Sequence, residues 1–123
     1  MNTSILQGGV LALLAGLSWS GLLEAEEHAE EALRHAEQAA RSSGDSAAIR
    51  EHADAALNHL EAAKTTKHAN PKALQHLDHG ETDLNDAVLH ARRFNSQSAA
   101  DEAGDASRHL ELAQQPAEVN HDR

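Results

Sequence analysis

The sequence predicts an all-α protein: an antiparallel up-down-up-down four-helix bundle preceded by an apolar N-terminal segment. Three observations carry this expectation. From Leu22 onward the chain is dominated by Ala, Leu, Glu, Gln and Arg, all strong helix formers. Breaks fall at Ser42-Ser43-Gly44-Asp45, at Thr65 to Pro71 and at Asn95-Ser96-Gln97-Ser98, leaving stretches of similar length. An eight-residue unit recurs once in each stretch. Short connections between helices of similar length favour alternating directions.

Taken in order, residues 1–23 carry no charged side chain, and Ile5 to Leu17 reads ILQGGVLALLAGL. An apolar core followed by Ser18 and Ser20, placed for cleavage before Gly21, reads as a secretory signal over residues 1–20. The n-region lacks Lys and Arg, and a retained anchor or a helix of the folded domain are the alternatives. Export predicts a periplasmic or secreted location, which the lack of Cys suits. The bundle is expected over 21–114, with helices at about 22–42, 45–66, 71–94 and 97–114. Asp45 and Asn70 read as N-caps, and Pro71 occupies a first helical position, where its missing N–H costs nothing. Gly80 suggests a kink or early break in the third helix, and residues 115–123, with Pro116, suggest a flexible tail.

Composition narrows the function. A chain of 123 residues allows one domain. Its net charge of −10 excludes a general nucleic-acid binder, because little here would displace counterions from phosphates. Without Cys there is no disulfide framework and no thiolate metal site. One Trp, one Phe and no Tyr leave a thin core of Leu and Ala. Against this background ten histidines, as many as Lys and Arg together, point to imidazole chemistry.

The repeated unit places those histidines. It reads HAEEALRH (His28 to His35), HADAALNH (His52 to His59), DLNDAVLH (Asp83 to His90) and EAGDASRH (Glu102 to His109). One position is always Ala and one always His, and internal duplication is the simplest account. At ~100° per residue the Ala/Leu positions span ~40° to 140° of the helix, and the unit's two ends fall near ~0° and ~340°. The histidines therefore flank the apolar stripe, where neighbouring helices meet solvent. The Ala column, which includes Ala32, Ala56, Ala87 and Ala106, lets helices approach closely.

Unit ends lie ~10.5 Å apart along the axis, too far to share an ion with metal–nitrogen bonds of ~2.0 Å. Each helix thus offers a ligand at each of two levels, and a site is completed by an adjacent helix or by a carboxylate one turn earlier. Glu31 precedes His35 by four residues, Asp86 precedes His90 and Asp105 precedes His109. Helix three adds His76 and His79, with Asp83 four residues after His79. The candidate metal ligands are His28, Glu31, His35, His52, His59, His76, His79, Asp83, Asp86, His90, Glu102, Asp105 and His109. One such pair alone is an ordinary helix-surface hydrogen bond; the repetition argues for metal. His68 reads as a loop residue and His121 as a bystander. The Glu-x-x-His spacing of di-iron bundles occurs only at Glu118 to His121, which disfavours a ferritin-like redox enzyme.

Over about residues 24–113 these units resemble the small histidine-rich metal-binding proteins exported to the periplasm of some bacteria. The matches are EHAEEALRHAEQA (27–39), EHADAALNHLEAA (51–63), DLNDAVLHARR (83–93) and EAGDASRHLELA (102–113). The resemblance implies a four-helix bundle that takes up copper and other divalent metals. It also implies that His28, His35, His52, His59, His90 and His109 match the family's histidines. Asp83 and Glu102 depart from that pattern, standing where family members carry His. Those sites are then weaker for soft or borderline ions, or more tolerant of hard ones.

With Met1 the only Met, Cu(I) lacks its soft ligands, whereas imidazole plus carboxylate suits Cu(II), Ni(II) and Zn(II), with Cu(II) first. Dispersed sites of two or three ligands suggest buffering or scavenging rather than a catalytic centre. The expected partners are metal ions, with no nucleic acid, a membrane only if the N-terminal segment is retained, and a monomeric chain. The rival reading is a helical interaction module with a pH-responsive histidine surface. No catalytic motif is recognisable, so an enzyme is not expected.

Overall fold

A computed structural model describes residues 24–65 and 71–115. The expected signal (1–20), the Asn70 cap, His68 and the tail from residue 116 with His121 lie outside them. Four helices account for nearly all described residues: α1 (24–41), α2 (Ser46–Thr65), α3 (Pro71–Arg92) and α4 (Ser96–Gln114). None of these is long and apolar enough to cross a membrane.

The ends of the helices follow from particular residues. Ser42 N–H and Asp45 N–H close the α1–α2 turn on Ala39 and Ser42 carbonyls, with Gly44 at φ 99°. The Asp45 carboxylate then accepts from Ala48 N–H at 3.0 Å, the N-cap its sequence position suggested. At the other hairpin, α3 stops at Arg92 rather than 94. Phe94 takes a left-handed φ of 59°, and Asn95 N–H turns back to the His90 carbonyl at 2.9 Å. The Asn95 side chain accepts from Ser98 N–H, so this residue is the cap of α4 and not merely a break.

The helices pack in the expected order. α3 lies closest to α4 and next to α2, while α2 and α4 scarcely touch and form a diagonal. The α1–α4 edge is marked by Gln114 Nε2 donating to the Ala29 carbonyl, and by Ser43 Oγ donating to Gln97 Oε1 across the turns. At the α2–α3 edge Lys64 Nζ reaches Asp78 at 2.8 Å and Glu81 at 3.2 Å. The core is thin, as composition implied. Ile49, Leu60, Leu84 and Leu110 are its largest fully buried side chains, and most of the remainder is Ala. Among the described residues no polar or charged side chain is buried. Ala32, Ala56, Ala87 and Ala106, one from each unit, are fully buried, so the Ala column does face the other helices.

Gly80 corrects the sequence expectation. α3 runs through it without a break, and Gly80 is buried against α4. A Cβ there would stand 3.0 Å from Leu110 Cδ2 and 3.2 Å from Leu110 Cγ. The glycine makes room for a core leucine and does not bend the helix.

Candidate metal centre

Antiparallel pairing of α1 and α2 sets His28 opposite His59 and His35 opposite His52. The first pair meets with Nδ1 atoms 3.1 Å apart, one ring donating to the other. The second has ring centroids 5.7 Å apart. A third pair crosses the two levels: His35 and His59 lie 5.6 Å apart with planes tilted by only 8°. The two-level expectation is thus incomplete, and the reason is the direction of helical side chains. Each leans toward its own helix N-terminus. On antiparallel helices His35 and His59 lean toward one another. The result is a zigzag, His28–His59–His35–His52, running along the seam.

Glu31 joins the middle of that zigzag. Its Oε1 is 4.0 Å from His35 Nε2, one turn along α1. Glu31, His35 and His59 each offer a ligand atom within 4.8 Å of the other two, and all three residues are half-buried. Two donors ~2.0–2.1 Å from one ion lie at most ~4 Å apart, so small side-chain rotations would close this trio on a metal. Its electrostatics fit that role. Burial, followed by the neighbouring His59, Arg34 and His52, pushes the proton affinity of His35 below its ordinary value, outweighing Glu31. A ring kept neutral is a ring able to ligate. Its Nδ1 is buried and has no hydrogen-bond partner among the described residues. Arg34 hydrogen-bonds Glu31 and keeps its carboxyl ionised, below the usual range.

The α3–α4 seam gathers a different set around His109. Its ring centroid is 5.1 Å from that of His79 and 5.9 Å from that of His76. Its Nε2 is 3.8 Å from Asp83 Oδ2. Burial raises the Asp83 carboxyl above its ordinary value, His109 opposes the rise, and Asp105 and Asp86 add to it. Glu102 is raised likewise, by burial and then by Asp83, Asp86 and Asp105, with His90 acting the other way. The Nδ1 atoms of His76 and His109 are buried and without hydrogen-bond partners among the described residues.

Each candidate ligand named from the sequence thus has a place. His28, Glu31, His35, His52 and His59 share one seam; His76, His79, Asp83 and His109 share the other. Half-buried His90 and Glu102 lie toward the α3–α4 turn, and Asp86 is exposed on α3. Asp105 is drawn off by Arg108, which donates to its carboxylate, so the expected Asp105–His109 pairing gives way to an ordinary surface ion pair. The cross-level trio and the central place of His109 were not foreseen. Side-chain lean on antiparallel helices would have signalled the first. Aligning Asp83 with His28, and His109 with His59, would have signalled the second.

The arrangement can hold cations between helices through imidazole and carboxylate donors. The family model described as small metal-binding protein matches residues 3–113. No curated protein matches the chain. With nearly its whole length matched, and His28, His35, His52, His59, His76, His79 and His109 gathered across two helix seams, the chain belongs to the small metal-binding protein family.

Proposed function

We propose that this chain binds and buffers divalent transition metals, Cu(II) ahead of Ni(II) and Zn(II), as cargo held at the helix seams. The observation that carries the reading is the approach of Glu31, His35 and His59, from two helices, to within 4.8 Å of one another. Imidazole donors rank these ions with Cu(II) first, and a three-donor site leaves coordination positions for water or a receiving ligand. Half-buried ligands at a seam exchange ions more readily than a closed core site, which suits scavenging or transient storage. The net charge of −10 raises local cation concentration. The family is one of metal-binding proteins rather than enzymes. The apolar segment ending near Ser20 supports export and a periplasmic or secreted buffer.

A pH-responsive histidine surface needs its rings only to cluster, whereas metal ligation needs them to converge between helices. The trio favours ligation. Equilibrium dialysis with elemental analysis tests this. More than one Cu(II) retained per chain at micromolar free metal is expected. Less than one overturns it in favour of the pH-responsive module.

A further inference from the structure

We infer that the end of the bundle formed by the α1–α2 and α3–α4 turns is a docking surface for anionic phospholipid, with Phe94 entering the headgroup region and Arg41, Arg50, Arg92 and Arg93 pairing with phosphates around it. The inference is independent of metal binding and uses neither histidine seam.

Fold stability does not account for Phe94. The side chain is 86% exposed, so its ring adds nothing to the core. Its backbone takes a left-handed φ of 59°, which Gly or Asn adopts at less cost. The one phenylalanine of the chain thus stands at a tip, in a costly conformation, without burial to offset it. Leu89, just inside that tip on α3, is a second exposed apolar side chain.

The arginines gather at the same end. Ser43 Oγ donates to Gln97 Oε1 at 3.2 Å and holds the two turns side by side. Arg41 closes α1, Arg50 lies early in α2, and Arg92 and Arg93 run up to Phe94. All four are exposed, and none makes an ion pair among the described residues. Arg34, Lys64 and Arg108, farther along the helices, are each held by a carboxylate. The helix dipole accounts for cations at the C-terminal ends of α1 and α3, but Arg50 stands near an N-terminus, where the dipole disfavours it. Of the carboxylates at this tip, Asp45 caps α2 and Asp101 accepts from Gln97 Nε2. Carboxylates two helical turns back are ~11 Å from the tip, beyond the ~8 Å screening length at physiological salt. The net charge of −10 therefore does not set the potential here.

An anionic bilayer fits this combination. Aromatic rings settle at the membrane interface, and clustered basic residues add attraction to anionic headgroups. Lipids rearrange around a single projecting ring, so no preformed pocket is required. A second copy of this chain offers carboxylates to the arginines, but outside the tip itself Leu112 is the only exposed large apolar side chain among the described residues. That leaves the ring little to pack on.

The test is co-sedimentation of the full chain, in metal-free buffer, with vesicles of phosphatidylcholine alone or of equimolar phosphatidylcholine and phosphatidylglycerol. Residues 1–23 carry no charged side chain, so any binding through them is common to both vesicles and cancels in the ratio. A preference for the anionic vesicles is expected, and its loss at high salt. Arg93→Gln should weaken binding to them ~5-fold, the attraction one arginine supplies near such a surface. Lys72→Gln removes the same charge from an exposed position at the far end of α3 and should leave binding unchanged. Phe94→Asn should weaken it ~10-fold, the lower end of what withdrawing a phenylalanine ring from an apolar environment costs. The same variant should melt no lower than the parent chain, because Asn suits a left-handed φ, which separates loss of the ring from loss of the fold. Equal binding to both vesicles, binding to neither, equal losses from Arg93→Gln and Lys72→Gln, or indifference to Phe94→Asn each overturn the inference. So does a dimer in sedimentation equilibrium that Arg93→Gln dissociates while vesicle preference is absent, which gives the tip to a second copy.

Discussion

Replacing His35 by Ala should erase most of the metal-dependent stabilisation arising from the α1–α2 seam, whereas replacing His52 should not. His35 takes part in two ring pairs and in the Glu31–His35–His59 trio, while His52 has a single ring pair, with His35, among the described residues. Free Cu(II) held by a chelating buffer at ~100 times the dissociation constant adds ~2.7 kcal/mol to a fold that binds only when folded. Outer-sphere partners of metal ligands already carry ~10–100-fold in affinity, and a direct donor is assigned the upper end of that range. The same free metal then only equals the weakened constant, leaving ~0.4 kcal/mol. The difference of ~2.3 kcal/mol corresponds to a metal-induced Tm shift smaller by roughly 9–18 °C for a domain of this size. Circular dichroism melts with and without Cu(II) read it directly. Ions at the α3–α4 seam contribute equally to both proteins and cancel. A His52→Ala chain that loses as much as His35→Ala, or a His35→Ala chain that keeps the full shift, would refute the cross-level trio.

Four further outcomes follow from the packing and the charges. Gly80→Val should destabilise the bundle by ~1–3 kcal/mol, because new atoms meet Leu110 in a filled core, whereas Gly104→Ala should stabilise it by up to ~1 kcal/mol. The Cβ at 104 would meet only Ala40 Cβ at 3.9 Å, so denaturant midpoints should move in opposite directions. Folding depresses the His35 pKa below 6.5, so the unfolded chain takes its proton first; metal-free stability should fall as pH drops below 6.5, less so in His35→Ala. Folding raises Asp83 and Glu102 above 3.8 and 4.5, so the folded chain takes those protons first. Their contribution should grow as pH falls toward those values, and Asp83→Asn should remove its share in urea titrations across the acid range. Hydrogen bonds from Lys64 to Asp78 and then Glu81 raise the Lys64 pKa above 10.5. That bridge is in place below 10.5 and lost as pH rises through the higher folded value, and Lys64→Met should cost at most ~1 kcal/mol in low salt.

The helices and their order were legible because each boundary has a local chemical cause within a few residues: Asp45 capping α2, Pro71 opening α3. Phe94 was not, since nothing about phenylalanine announces a left-handed φ; the turn imposes it through the Asn95 N–H bond to His90. Gly80 was misread for a similar reason. A glycine in a helix pattern has the same local signature whether it bends the helix or admits a neighbour, and only Leu110, thirty residues away, decides. In the site, the unit periodicity put the right residues on the seams. Which of them meet depends on the antiparallel lean of side chains and on competitors. Arg34 and Arg108 lie three residues after Glu31 and Asp105: Arg34 shares Glu31 with His35, whereas Arg108 takes Asp105 as its own ionic partner.

The place of the donors beside the core, not within it, explains how the two hairpins differ chemically while packing alike. Ala32 and Ala56 in the first hairpin are fully buried, and so are Ala87 and Ala106 in the second. The positions flanking them are His28 and His52 in the first and Asp83 and Glu102 in the second, and none of these four side chains enters the core. Burying an ionised carboxylate without a partner would cost several kcal/mol, a sum a thin Ala-rich core has little means to offset. At a seam the carboxylate stays partly hydrated, so a change of donor there leaves the packing of the fold unchanged. The seams also join α1 to α2 and α3 to α4, whereas the Lys64 bridge and the Gln114–Ala29 bond join one hairpin to the other. A metal ion held at either seam would therefore clamp a hairpin internally, and would stabilise the whole bundle only through the Ala and Leu core the two hairpins share.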